Sequence, residues 1–163
     1  MGRHSGRPRH RRGASHGIDD SDPDPDDVAI LERGVAESTV ATTHHDDLCE
    51  LAAFVRDDDG TVRGGVYGLT WGGCCELQYL WVHPSVRGRG FGRLLLEWAE
   101  NEARGRGCRQ VVLLTHASQT PDLYGRRGYE LAGRVDDYPV GDAALWFRKG
   151  LDACLSGGSE AGE

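Results

Sequence analysis

Lysine is nearly missing from these 163 residues: Lys149 stands alone beside 18 arginines, a coding bias toward arginine rather than a functional sign. Positive charge is also in deficit. The chain carries 19 basic and 26 acidic residues, a net charge of −7, which argues against bulk affinity for nucleic acid. No apolar run approaches the length of a membrane span. Arg11-Arg12 is followed by no apolar stretch, so it does not read as an export signal. The five cysteines (Cys49, Cys74, Cys75, Cys108, Cys154) are odd in number and contain no C-x-x-C pair. A disulfide or metal framework is therefore not expected, and thiols in a reducing cytoplasm are the simpler reading. Two familiar phosphate motifs are missing as well. There is no G-x-x-x-x-G-K-[ST], and Gly88, Gly90 and Gly92 fall at every second residue, which does not fit G-x-G-x-x-G.

What is present centres on Glu76 to Ala103, ELQYLWVHPSVRGRGFGRLLLEWAENEA. Apolar residues (Leu77, Leu80, Trp81, Val82) predict a strand. Leu94, Leu95, Trp98, Ala99 and Ala103 recur at the three- and four-residue spacing of one helix face. Between them lies Arg87-Gly88-Arg89-Gly90-Phe91-Gly92. Its glycines let successive backbone N–H groups point at one spot. The helix that follows adds unpaired N–H groups and the positive end of its dipole. Arg87, Arg89 and Arg93 add full charges. The combination is an anion site suited to a pyrophosphate.

The remaining chain reads as one domain. Residues 1 to 27, with five arginines and three histidines followed by six aspartates, form a leader too polar to offset its ordering entropy. Val28 to Leu31 is expected as a first strand, and Val35 to Ala41 as one or two helical turns. Leu48–Arg56 and Thr61–Trp71 are strands joined at Asp57-Asp58-Asp59-Gly60. Gly64, Gly65 and Gly68 in the second suggest close backbone approach or a bulge. Cys75–Val82 is the third of this antiparallel set, Gly92–Arg104 the helix, and Gln110–Thr115 a buried strand. Thr120-Pro121-Asp122 opens a short helix that runs through Arg127. Tyr129–Val135 and Ala143–Arg148 close the domain at residue 151. Residues 152 to 163 form a loose tail.

The pattern [RQ]-x-x-G-x-[GA], met by Arg87, Gly90 and Gly92 after a strand, resembles the coenzyme A site of the GNAT N-acetyltransferase superfamily. Leu123-Tyr124-Gly125-Arg126-Arg127-Gly128-Tyr129 resembles that family's F-Y-x-x-x-G-[FY], and Phe147-Arg148-Lys149-Gly150-Leu151 its closing aromatic-x-K-x-L. The resemblance covers residues 28 to 151 and implies an α/β (α+β) fold, a mixed, mostly antiparallel sheet flanked by helices. It implies acetyl-CoA as co-substrate, with no metal, and an amine acceptor attacking the thioester directly. Cofactor contacts would come from Leu80, Trp81, Val82 and from Arg87, Gly88, Arg89, Gly90, Phe91, Gly92 and Arg93. Backbone groups at residues 80 to 82 would pair with the pantetheine arm and hold the developing negative charge.

Tyr124 matches the family's general acid. An amine with pKa near ~10 also needs a base. Glu76, eleven residues before Arg87, has the offset of the base in histone-type members. It is expected to share a strand face with Gln78 and Leu80. His83 and His116 are the next candidates. Asp136 and Asp137, in the loop between the closing strands, lean the acceptor toward a small cationic amine rather than a protein.

Three departures stand out. Ala117 replaces the asparagine common seven residues before the tyrosine, so that cofactor contact is lost or moves to Thr115 or Gln119. Leu123 replaces an aromatic. The segment between the first two strands is short for the usual pair of helices, which leaves a wide acceptor groove for a large substrate or a second subunit, hence a homodimer, to complete. Two rival readings remain. One is a non-catalytic acyl-CoA sensor of the same fold. The other is an Arg/Gly-type RNA-binding protein. The acid and base candidates weigh against the first, the acidic total against the second. No membrane and no nucleic-acid partner is expected.

Overall fold

The structure is a computed structural model that describes residues 22–119 and 121–151. The leader as far as residue 21, the Thr120 cap and the tail from residue 152 lie outside the described residues. The chain divides into two units after Ser38.

Most of the first helix, α1 (Pro25–Thr43), belongs to the first unit. This corrects the strand expected at Val28–Leu31. Asp24 precedes Pro25, its carboxylate accepts from the Asp26 N–H at 2.9 Å, and its carbonyl accepts from Val28 N at 3.0 Å. Asp26 and Asp27 then lie in the first turn, where negative charge suits the helix dipole. These start signals outweigh the short β-branched run. No α1 residue is buried.

The second unit holds one sheet. Its strands are β1 (Cys49–Arg56), β2 (Val62–Trp71), β3 (Cys74–Val82), β4 (Gln110–His116), β5 (Glu130–Asp136) and β6 (Ala143–Gly150), in the order β1-β2-β3-β4-β6-β5. Every neighbouring pair is antiparallel except β3–β4. Helix α2 (Phe91–Gly105) makes the crossover between those two, and α3 (Pro121–Gly125) connects β4 to β5. The fold is thus the expected mixed, mostly antiparallel sheet flanked by helices. No described helix is long and apolar enough to cross a membrane.

The core lies on the sheet face that α2 and Tyr124 cover, with Leu51, Val66, Cys75, Leu77, Val111, Leu113 and Phe147 pointing into it. The buried side of α2 is Leu95, Leu96, Ala99, Glu100 and Ala103. Leu94 and Trp98, expected on that side, are exposed. Three consecutive leucines leave the helix phase ambiguous, and a buried ion pair fixes it. Glu100 is 2% exposed and its carboxylate accepts from Lys149 Nζ at 2.7 Å. The closing F-x-K-x-L pattern therefore works structurally: Phe147 and Leu151 are buried, and Lys149 neutralises a buried acid on α2.

One irregularity in β3 positions everything that follows. Tyr67 pairs with Tyr79, but its neighbour Gly68 pairs with Leu77. Gln78 has no partner on β2 and forms a bulge. Gly68 is needed opposite it, because the Glu76 carbonyl comes so close that a methyl group at residue 68 would collide with it. The glycines of β2 thus mark both the bulge and the close approach that the sequence suggested.

Candidate functional site

The bulge reverses the alternation of β3. Before it, Cys75 and Leu77 face the core; after it, Leu80 and Val82 do, and Tyr79 and Trp81 turn outward, 69% and 48% exposed. It also ends the parallel ladder. β3 and β4 pair from Cys74–Gln110 to Leu77–Leu113 and no further. Beyond that level β4 remains bonded to β6 through His116, so the strands separate and leave the β4-facing edge of Leu80–Val82 open.

Backbone direction on this edge follows from the β2 side. His83 N donates to Arg63 O at 2.7 Å. Bonded residues alternate along an antiparallel pair, so Trp81 and Tyr79 also turn their backbone groups toward β2. Leu80 and Val82 present theirs to the gap. The Val82 carbonyl is taken by Arg87 Nε at 2.9 Å. The Leu80 N–H and C=O have no strand beside them.

A cleft of about 750 Å³ fills the gap. One wall is Leu80, Trp81 and Val82. Arg87, Gly88, Gly90, Phe91, Gly92 and Arg93 form its floor. Thr115, Ser118, Gln119, Leu123 and Tyr124 form the opposite wall. Of the residues named for the cofactor, only Arg89 does not line it. A smaller hollow of about 540 Å³ adjoins it around Pro121, Asp122 and Arg126, with neither the glycine turn nor Tyr124.

The floor is built as an anion cradle. Gly88 and Gly90 take φ of 76° and 84°, values that a side chain resists. Gly90 caps α2 without a side chain to occupy the first N–H groups, and the first helical bond comes only at Leu94 N to Gly90 O, 3.0 Å. The N–H groups of Phe91, Gly92 and Arg93 precede it and are free for a ligand. A Cβ on Gly92 would stand between Leu123 and Val82 at ordinary contact distances, 3.8 and 3.9 Å, so the packing itself does not demand glycine there. The Arg93 guanidinium is 3.8 Å from Glu97, both largely exposed, a weak pair that a phosphate could displace. These features fit a pyrophosphate-bearing ligand.

Tyr124 comes from α3 and is 8% exposed. Its ring packs edge-on against Tyr129 (5.8 Å between centroids) and tilted against Phe147 (5.7 Å). Burial pushes its hydroxyl pKa above the ordinary tyrosine value, so it stays protonated at neutral pH. The hydroxyl makes no hydrogen bond to a described residue. Thr115 Oγ1 donates to Gln119 Oε1 at 2.8 Å on the same wall, where Ala117 has replaced the asparagine.

The candidates for a base are separated by the bulge. Glu76 is exposed and lies on the face opposite Leu80, not the same face: the extra residue Gln78 inverts the count between them. It is level with Leu69 and Val112, and its carboxylate has no hydrogen bond or ion pair among the described residues. His83 caps the turn Pro84–Val86, with Nδ1 accepting from Ser85 N at 3.1 Å and lying 2.7 Å from Ser85 Oγ. His116 ends β4, its Nδ1 3.1 Å from the Tyr138 carbonyl. The acidic loop is partly committed to itself: Asp136 pairs with Arg134 at 2.7 Å, and Asp137 accepts from Gly141 N at 3.3 Å. Sequence reasoning missed Ser118, which has no signature apart from its place after β4, and gave Leu123, the first position of the tyrosine motif, no part in the cleft wall. Among the described residues no group of three His, Cys, Asp or Glu side chains is placed to hold a metal ion.

Comparison with known proteins gives consistent results. The model of the acetyltransferase (GNAT) family matches residues 21–129. An acetyltransferase of Agrobacterium fabrum is 34% identical over 103 residues, 63% of this chain and 75% of that protein. The blasticidin-S acetyltransferase of Streptomyces morookaense is 35% identical over 91 residues, 55% of this chain and 67% of its own. The crystal structure of an acetyltransferase from Bacillus cereus superposes with a TM-score of 0.73 at 27% identity, covering 82% of this chain and 98% of that one.

Proposed function

This chain belongs to the GNAT acetyltransferase family, and from that premise we propose that it transfers the acetyl group of acetyl-CoA to an amine by direct attack. The observation that carries the reading is the open edge at Leu80, which lies in one cleft with the glycine turn and the buried Tyr124.

Each part has a task. The N–H groups of Phe91, Gly92 and Arg93, with Arg87 and Arg93, hold the pyrophosphate. Arg89 adds charge from outside the cleft. The open backbone of Leu80 and the side chains of Trp81 and Val82 line the path of the pantetheine arm, which lies against the edge like an added strand. When bound, acetyl-CoA supplies the acetyl group activated as a thioester. The Leu80 N–H is a fixed donor for the charge that develops on the acetyl oxygen. Tyr124 delivers its proton to the leaving sulfur. The amine's proton goes to one of two groups on the outward face, Glu76 through water or His116.

The acceptor is read as a small amine rather than a protein side chain. The named activity of the blasticidin-S relative supports that reading, as do the acids of the outward face and the loop beside it. Thiol release from acetyl-CoA against a panel of primary amines tests the activity. Release that requires both an amine and the Tyr124 hydroxyl is expected. Tight binding of acetyl-CoA with no release for any amine would favour a sensor instead.

A further inference from the structure

The transfer proposed above leaves open which group takes the proton from the amine, and the inference that follows rests on that transfer. Glu76 and His116, and His83 which the sequence also offered, differ in level, direction and free lone pairs.

Level follows from the register. Leu77 stands beside Leu113 in the last rung of the parallel ladder. Counting onward and allowing for the extra residue Gln78, Leu80 is level with Thr115 and Trp81 with His116. Glu76 is level with Val112, about 10–13 Å back along the strand from the open edge at a rise of roughly 3.3 Å per residue. His116 is therefore the candidate that stands beside the place where the thioester carbonyl meets the Leu80 N–H.

Direction follows from the alternation of β4. Val111, Leu113 and Thr115 are buried on the core side, Thr115 in the cleft wall. His116 points to the other face with Val112 and Leu114, the side that Tyr79 and Trp81 also share. An amine reaching the gap from outside meets that face first.

The lone pairs decide between the histidines. A carbonyl oxygen only accepts, so the 3.1 Å contact to Tyr138 O places the proton of neutral His116 on Nδ1 and leaves the Nε2 lone pair free. The Tyr138 ring packs edge-on against the imidazole, 6.0 Å between centroids. His83 is the reverse. Its Nδ1 lone pair receives the Ser85 N–H, so the neutral ring carries its proton on Nε2 and has no free acceptor.

We propose that His116 is the general base: its Nε2 takes a proton from the acceptor ammonium at the open end of the β3–β4 pair. The N–H bond of the ammonium breaks and an Nε2–H bond forms. The neutral amine attacks the acetyl carbon, the C–S bond breaks, and Tyr124 gives its proton to the sulfur. The new amide nitrogen sheds a second proton, which restores Tyr124, and the imidazolium returns its own to water. The sum is ammonium plus thioester giving amide, thiol and one proton.

The groups that face this ring are few. From the β5–β6 loop come Tyr138 and Asp142; Asp142 is held below the usual carboxylate range, first by the Ser118 hydroxyl, and stays ionised at neutral pH. From β6 the neighbour in register is Ala144. On the β3 side the titratable groups of the same face are Tyr79 and, further back, Glu76, with His83 past the strand's end.

The test uses His116→Gln, which keeps a donor for Tyr138 O but cannot take a proton, with Glu76→Gln beside it. Ring nitrogen NMR of the protein without ligand, assigned by the loss of one signal in His116→Gln, is expected to show the Nδ1–H tautomer. An Nε2–H tautomer would overturn the proposal. In thiol-release assays on an amine that the wild type acetylates, His116→Gln should lower kcat/KM at pH 7 by about 10²–10⁴-fold. The deficit should shrink as the pH approaches the amine's own pKa, while the melting shift with acetyl-CoA stays that of the wild type. Unchanged kcat/KM in His116→Gln, or loss of the pH-dependent limb in Glu76→Gln instead, refutes the role of His116 and leaves the transfer standing. A wild type that releases thiol with no amine removes the transfer itself, and this role with it.

Discussion

The two ends of the β3–β4 pair are built from similar residues and do opposite things. At one end Cys74–Leu77 and Gln110–Leu113 are hydrogen-bonded, and Cys75, Leu77, Val111 and Leu113 are buried under α2. At the other, Leu80, Trp81 and Val82 face Thr115, Gln119 and Tyr124 across a cleft. Composition does not separate them, since both are apolar. A single extra residue does. Gln78 stands where the ladder ends, lies with Tyr79 on the outward face, and leaves the Leu80 backbone without a strand partner. Paired backbone holds the fold together; unpaired backbone beside a wall of side chains is what a ligand can use.

The strongest way to break this contrast is to delete Gln78. Leu77 and Tyr79 already pair with Gly68 and Tyr67, so joining them would keep the ladder to β2 and the faces of Tyr79 to Val82, and would remove only the irregularity at which the ladder to β4 stops. A folded protein that no longer responds to acetyl-CoA is expected. A variant that melts and binds as the wild type does would show that the bulge is not what opens the cleft. At the closed end, Lys149→Met should destabilise by about 3 kcal/mol in urea titrations, because it leaves the buried Glu100 carboxylate with only the longer 3.8 Å pair to Arg104. Adding Glu100→Leu should restore most of the loss, and failure to do so would mean the pair is not the origin of the effect. At the open end, Tyr124→Phe should cost about 10²-fold in thiol release, close to 2.7 kcal/mol of barrier, with little change in stability.

A pair of glycines sharpens the comparison at finer scale. Gly90→Ala puts a side chain at φ 84° and should cost about 1–2 kcal/mol of stability. Gly92→Ala meets only ordinary contacts and should leave stability within about 0.5 kcal/mol while weakening acetyl-CoA. Equal stability losses at both would mean that the turn is shaped by its own packing rather than for a ligand. The smallest effect is one of pH. Burial pushes the Cys75 thiol to about 12 and the hydroxyls of Tyr124 and Tyr129 upward as well. Above roughly pH 9 the unfolded chain releases protons that the folded chain retains, so their stabilising contribution is whole below that pH and declines toward 12. The urea midpoint should fall between pH 8 and 10.5, and less so in Cys75→Ala; a flat midpoint would contradict the assignment.

The turn, the strand before it and the tyrosine after it were legible in the sequence because each rests on short-range chemistry: glycine at positive φ, an apolar run, a helix-ending glycine. The N-terminus of α1 was equally legible and was missed. Asp24-Pro25-Asp26-Asp27 has the same start logic as Thr120-Pro121-Asp122, but the apolar run at Val28–Leu31 suggested a strand. The face of Glu76 was not legible, because a bulge depends on which residue of β2 lies opposite, and only Gly68 hints at it. The buried side of α2 was set by a partner 49 residues away, the lysine that makes Glu100 tolerable in the core. No local period records that.

The most direct measurement of the central claim is thermal melting of the full chain with acetyl-CoA, free CoA and NAD in parallel. If the open end of the β3–β4 pair is a CoA site, both CoA species at about 100 times their dissociation constant should stabilise the fold by roughly 2.7 kcal/mol, a shift of a few degrees, and NAD should do nothing. No shift with either CoA species at millimolar concentration would contradict the account.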